Sequence, residues 1–127
     1  TLMKIQRSQE DFLEAILVLS LSGQPVHSVD IAEHLDYSKP SVSRAVAQLV
    51  QKGLVTMEDD KSLMLTQEGK MQADTVYEKH VFFTQMLLQA GVEEKVAAED
   101  ACKIEHAISE EAFSKIKTAY AKNHGNK

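Results

Sequence analysis

The stretch IAEHLDYSKPSVSRAVAQLVQKGLV, residues 31–55, decides the fold. Its second half, PSVSRAVAQLVQKG from Pro40 to Gly53, puts Val42, Ala45, Val46, Leu49 and Val50 on one face at helical spacing. Ser38 is placed to cap that helix, and Pro40 falls in the first turn, where its missing N–H costs little. Gly53 supplies the stop. Upstream, Ser28 opens a shorter helix, SVDIAEHL, with Val29, Ile31, Ala32 and Leu35 inward, and DYSKP forms a tight break between the two. Two short helices joined by a tight turn predict a helix-turn-helix.

Working outward, Phe12, Leu13, Ile16, Leu17, Leu19 and Leu21 predict a helix over 9–22, ended by SGQP. Downstream, LVTMED and SLMLT alternate around a polar turn and predict a β-hairpin wing. Thr66 is positioned to cap a long helix over 67–90, ended by Gly91. Two further helices follow, over 93–107 and 109–122, and the last residues, NHGNK, are expected to fray. The fold class is therefore mainly α: a winged helix-turn-helix domain over 1–70, then an all-helical domain over 71–127. The boundary lies inside the long helix, with no flexible linker.

Composition narrows the function. A chain of 127 residues holds one compact domain or a small domain with an extension. The formal net charge is −5, so a nucleic-acid surface has to be local. The single cysteine excludes an intramolecular disulfide and fits a reducing compartment. No apolar run approaches the roughly 20 residues of a membrane span, and the start does not read as a secretory signal, so a cytoplasmic protein is expected.

That local surface lies on the 40–52 helix. Ser38, Lys39, Pro40, Ser41, Ser43 and Arg44 cluster near its N-terminus, where small hydroxyl residues allow close approach and the helix end attracts phosphate. Arg44 can fork to a guanine or a phosphate. Between Tyr37 and Met57 stand Lys39, Arg44 and Lys52 and no acid. Lys61, at the wing tip, is expected to add a phosphate contact. The competing reading is a three-helix domain with solvated Ser and Lys, and pattern alone leaves both open.

A second cluster is DACKIEHAIS, residues 100–109. In a helix, Cys102, Glu105 and His106 share one face, with Cβ atoms roughly 5–6 Å apart. Thiol, carboxylate and imidazole are all metal-binding groups. Taken alone, Cys102 between Ala101 and Ile104 is more simply a buried small hydrophobe. His80, among aromatic and aliphatic neighbours, is either a ligand or a satisfied core histidine. Asp11 and Glu14 sit three apart on the first helix, but Ser8-x-x-Asp11 has capping-box spacing, so Asp11 also reads as a cap and Glu14 as solvated.

The segments EDFLEAI (10–16), IAEHLDYSKPSVSRAVAQLVQKGLV (31–55), SLMLTQEGK (62–70), VYEKH (76–80) and EDACKIEHAIS (99–109) together resemble the diphtheria toxin repressor family of metal-dependent regulators, which includes the manganese transport regulators. The resemblance spans residues 8 to about 110, and Cys-x-x-Glu-His after His80 is its most specific piece. It implies a transcriptional repressor, not an enzyme, that forms a homodimer through its C-terminal helices and binds palindromic operator DNA when loaded with metal. The family's metal positions fall on Asp11, Glu14, His80, Cys102, Glu105 and His106. Asp11 and Glu14 resemble the manganese-responsive branch and Cys102 the iron-responsive one. The iron branch's ancillary-site positions hold Thr84 and Ala98, which replace its side chains poorly. The chain stops before the SH3-like domain of larger members, so a short form is implied.

Donor chemistry agrees with a borderline site: a thiolate favours Fe(II), Zn(II), Co(II) or Ni(II) over Mn(II). Fe(II) is the expected physiological ion, with Mn(II) as the other candidate and Zn(II), Co(II) and Ni(II) binding in vitro. The expected mechanism has the ion join the first helix to the C-terminal helices and so set the spacing of the recognition helices in a dimer. The alternative function is a winged-helix regulator that senses oxidation through Cys102.

Overall fold

The computed structural model describes residues 2–124, with side chains over 9–123. Helices α1 (Leu2–Ser20), α2 (Ser28–Leu35) and α3 (Lys39–Gln51) precede a hairpin of β1 (Val55–Met57) and β2 (Leu63–Leu65), and α4 (Gln67–Gln89), α5 (Glu94–Ala107) and α6 (Glu110–His124) follow. The chain divides into two compact units, Thr1–Tyr77 and Glu78–Lys127, and the division falls within α4. The architecture is the mainly helical, winged one expected. The expected fraying of residues 123–127 lies largely outside the described residues.

The first unit packs α1, α2, α3 and the hairpin around Leu13, Ile16, Ile31, Val42, Val46, Leu49, Val55 and Leu63. Burying each such side chain contributes about 1.5–3 kcal/mol. Local chemistry fixes the turn before α3. The Asp30 carboxylate accepts from the His27 N–H at 2.8 Å at the start of α2, and Asp36 takes the left-handed conformation (φ 59°) at its end. Ser38 then caps α3 by accepting from the Ser41 N–H at 3.3 Å, with Pro40 in the first turn. The hairpin is antiparallel, pairing Val55 with Leu65, Thr56 with Met64 and Met57 with Leu63.

Thr66 and Gly69 clip the start of α4 to the turn after α3. The Thr66 N–H donates to the Leu54 carbonyl at 3.0 Å, its hydroxyl donates to the Gly53 carbonyl at 2.7 Å, and the same oxygen accepts from the Gly69 N–H at 3.1 Å. A Cβ at Gly69 would stand 2.0 Å from the Leu54 carbonyl oxygen, so only glycine permits this approach.

Three local expectations are corrected. Helix α1 begins at Leu2 rather than near residue 9, so Ser8 and Asp11 lie inside the helix rather than at its N-terminus. Leu21 falls past the helix end and is exposed. Val29 and Val50, expected inward, are exposed. Both sit at the edge of their helix's apolar stripe, and Val50 lines a surface cavity of about 350 Å³ with Ser28, Ser43, Val46, Ala47 and Met57.

The second unit is held by aromatic packing. Phe83, Ala101 and Phe113 are buried, with Phe82, Met86, Leu87 and Ile104 against them. Phe82 meets Phe113 edge-on at 5.5 Å between ring centroids. Two ion pairs tie α6 to α4: Lys79 to Glu110 at 2.5 Å, with the lysine buried, and Lys117 to Glu78 at 2.6 Å. No described helix is long and apolar enough to cross a membrane.

Candidate metal centre and nucleic-acid interface

Within the second unit the structure gathers the expected donors from α4 and α5. Glu105 is 1% exposed, though glutamate is rarely fully buried without a partner. One carboxylate oxygen, Oε1, lies 2.6 Å from His80 Nδ1 across 25 residues of sequence. The other, Oε2, lies 3.7 Å from His106 Nε2 and has no hydrogen-bond partner. The His106 side chain is 3% exposed and that of His80 is 29% exposed. Cys102, one turn before His106 on α5, is a half-buried free thiol. Two imidazoles, a thiol and a carboxylate thus share the α4–α5 pair.

A buried carboxylate with an unsatisfied oxygen is costly unless a cation or proton meets it. The donor set therefore fits a divalent transition metal better than a purely structural His–Glu pair, which would leave Oε2 unexplained. In the first unit, Asp11 and Glu14 lie three residues apart on α1, both half-buried, beside the buried Phe12, Leu13 and Ala15. Glu14 is therefore not the solvated side chain that one reading of the sequence allowed. Thr84, on α4, is also notable: its hydroxyl is buried without a partner.

The nucleic-acid candidates lie in the first unit. Ser38, Lys39, Pro40, Ser43 and Arg44 are exposed and Ser41 is half-buried, all in the first half of α3 or at its cap. The Ser38 hydroxyl donates to the Ser41 hydroxyl at 2.9 Å, so the cap is ordered. Lys52, at the far end, donates to the Gln9 side-chain carbonyl at 2.6 Å. That leaves Lys39 and Arg44 as the cations on the expected contact face with no ion pair among the described residues.

Lys61 has company that the sequence reading did not weigh. The turn places it beside Glu58, Asp59 and Asp60, all exposed. The Lys61 N–H donates to the Glu58 carbonyl at 2.9 Å, and Lys61 adopts φ 69°. Ser62 donates to Asp60 Oδ1 from both its N–H (2.9 Å) and its hydroxyl (2.6 Å). The Ser62 hydroxyl and then its N–H hold the Asp60 carboxyl below the usual carboxylate range, with nearby His27 adding to the effect. The signal was in MEDDKS, immediately past the acid-free interval that ends at Met57.

A winged helix-turn-helix with a histidine-, thiol- and carboxylate-bearing helical domain defines the class of metal-dependent transcriptional regulators. Comparison with known proteins agrees. Residues 4–63 match the iron-dependent repressor N-terminal DNA-binding domain, and residues 66–124 match the iron-dependent repressor metal-binding and dimerisation domain. An HTH-type transcriptional regulator of Methanocaldococcus jannaschii is 31% identical over 118 residues, covering 89% of this chain and 92% of that protein. The transcriptional regulator MntR of Escherichia coli O157:H7 is 31% identical over 118 residues, covering 93% and 76%. The diphtheria toxin repressor of Corynebacterium diphtheriae is 34% identical over 108 residues, and the chain spans 48% of its length. Among solved structures, the manganese regulator SloR superposes with a TM-score of 0.73 at 28% identity, covering 87% of this chain and 53% of that one. The chain belongs to the iron-dependent repressor family. Its members, the diphtheria toxin repressors and MntR among them, are transcriptional regulators and not enzymes.

Proposed function

We propose that the protein is a homodimeric repressor of metal-homeostasis genes that binds a palindromic operator when loaded with Fe(II), with Mn(II) as the other candidate ion. The observation that carries the metal half of this reading is Glu105: a fully buried carboxylate with one oxygen against His80 and the other without a hydrogen bond. The proposed ligands are Asp11 and Glu14 from α1 and His80, Cys102, Glu105 and His106 from α4 and α5. A bound divalent cation would supply positive charge at the buried Glu105 carboxylate and the other acids of this set.

The residues then act as follows. Asp11 and Glu14 lie on the helix that packs on α2, α3 and the wing, so a constraint on their carboxylates is a constraint on the unit that carries α3. His80, Cys102, Glu105 and His106 belong to the region matching the metal-binding and dimerisation domain. Joining the two sets fixes how the two α3 helices of a dimer are spaced, and a palindrome is read when they stand about 34 Å apart, one turn of DNA. A coupling of about 1–3 kcal/mol changes operator affinity about 5–150-fold. Ser38, Lys39, Pro40, Ser41, Ser43 and Arg44 contact the duplex, Arg44 at a base edge or phosphate. The thiolate of Cys102 with two imidazoles favours Fe(II) over Mn(II), and Zn(II), Co(II) and Ni(II) bind the same donors in vitro. A protein of this kind works in the cytoplasm.

The test is anaerobic selection from a randomised duplex pool with each of these five metals or with a chelator. Enrichment of a palindrome with metal and not with chelator is the expected result, reduced at least tenfold by Cys102→Ala or His106→Ala. Enrichment that persists in chelator and is lost on peroxide treatment assigns the switch to oxidation at Cys102 and overturns the metal reading.

A further inference from the structure

We infer that the wing tip repels DNA, so that duplex affinity rests on the first half of α3 while Glu58 and Asp59 weaken binding to every sequence alike. The inference rests on the DNA-binding reading above. Three observations carry it.

The first is proximity. Met57, the last residue of β1, lines the same surface cavity as Ser43 of α3, so the wing lies beside the face offered to DNA. Glu58 is the next residue along. The second is charge. The tip carries Glu58, Asp59 and Asp60 against the single cation Lys61, whereas α3 presents Lys39 and Arg44 with no acid. The third is order. The Glu58 N–H donates to the Ser62 carbonyl at 2.8 Å, and Ser62 donates twice to Asp60, so the loop is a hydrogen-bonded turn that carries Glu58 and Asp59 at its tip. No carboxylate of the tip makes an ion pair among the described residues, although Glu58 accepts from the Thr56 hydroxyl at 3.2 Å. An anionic tip on a hydrogen-bonded turn, next to a helix lodged against phosphates, is a repulsive element, which restrains the sequence-independent part of binding.

The magnitude follows from Coulomb's law. At about 8 Å in water, one charge pair changes affinity roughly twofold, so neutralising two carboxylates strengthens binding about fivefold at low ionic strength. The test uses the full chain as Glu58→Gln plus Asp59→Asn. Both changes keep the side-chain shape, leave Asp60 and its turn intact, and are checked by an unchanged melting temperature. Fluorescence anisotropy is read with a random-sequence duplex and with the selected palindrome, in the presence of the activating metal, at low and high salt.

The expected result is about fivefold tighter binding to both duplexes at low salt, shrinking at high salt, with Lys61→Ala costing about twofold and Arg44→Ala tenfold or more. Unchanged or weaker binding by the neutral variant overturns the inference, as does a Lys61→Ala loss equal to that of Arg44→Ala. Should the unaltered protein bind neither duplex with any metal, the DNA-binding reading itself falls, an outcome distinct from binding that ignores the wing.

Discussion

Glu105→Gln should raise the stability of the metal-free protein and cut the stabilisation that metal brings. Without metal, the native protein buries a carboxylate whose Oε2 has no hydrogen bond. An unsatisfied buried acceptor costs about 1–3 kcal/mol, more when charged. Glutamine keeps an oxygen for His80, now 2.6 Å from Oε1, and replaces the orphan oxygen with an NH₂ facing the His106 ring 3.7 Å away. The chelated variant is therefore more stable by about 1–2 kcal/mol. For a chain of this size that raises the melting temperature by about 3–10 °C. With metal that advantage shrinks, and it reverses where the loss of metal stabilisation exceeds the gain. A ligand at 100 times its dissociation constant stabilises the native protein by about 2.7 kcal/mol. Losing the charged ligand weakens metal affinity by tenfold or more, which removes at least about 1.4 kcal/mol of that gain and nearly all of it for a hundredfold loss. The assay is thermal unfolding of both proteins at one fixed protein concentration, in chelator and in anaerobic Co(II). A variant that melts lower than the native protein in chelator, yet shows the full metal-induced rise, would refute the reasoning and leave Glu105 as a structural partner of His80.

The remaining predictions concern packing. Gly69→Ala introduces a Cβ 2.0 Å from the Leu54 carbonyl oxygen and 2.9 Å from its carbon. The helix-propensity gain of about 1 kcal/mol is outweighed by the clash with backbone, and a net loss of about 1–3 kcal/mol is expected in urea unfolding. An unchanged or raised midpoint would show that α4 does not approach Leu54 closely. Thr84→Val removes a buried hydroxyl that has no partner. It should raise stability by about 1 kcal/mol by the same measurement, and a loss would reveal a partner for the hydroxyl.

Much of the fold was legible because its signals are local. Ser38, Pro40 and Gly53 mark the ends of α3 through cap, first-turn and left-handed chemistry, each read from one residue and its neighbours. Apolar periodicity located α1, α2 and α3, Thr66 and Gly91 marked the ends of α4, and the alternation of LVTM and LMLT located the wing. Errors arose where periodicity has an edge. Val29 and Val50 fit an apolar stripe by angle, but the core is too narrow to cover its margins, and both stay exposed. The start of α1 was misread because Ser8-x-x-Asp11 carries the spacing of a cap, and a backbone already helical from Leu2 makes that spacing irrelevant.

The site was legible in part, for a different reason. Cys102, Glu105 and His106 could be joined on paper because helix geometry fixes their spacing. Helix geometry could not reach the partner of Glu105: His80, which only the family resemblance placed in the same site, is 25 residues away, and the packing of α4 against α5 brings its Nδ1 within 2.6 Å. That contact distinguishes a buried cluster from a solvated strip. A carboxylate on an open helix face needs no partner, and the same carboxylate at 1% exposure demands one. The wing shows the converse. The three acids beside Lys61 are plain in MEDDKS, but a lysine read singly leaves out the charge of its neighbours. Residue type suggests a role, and the surrounding charge and burial decide whether physics permits it.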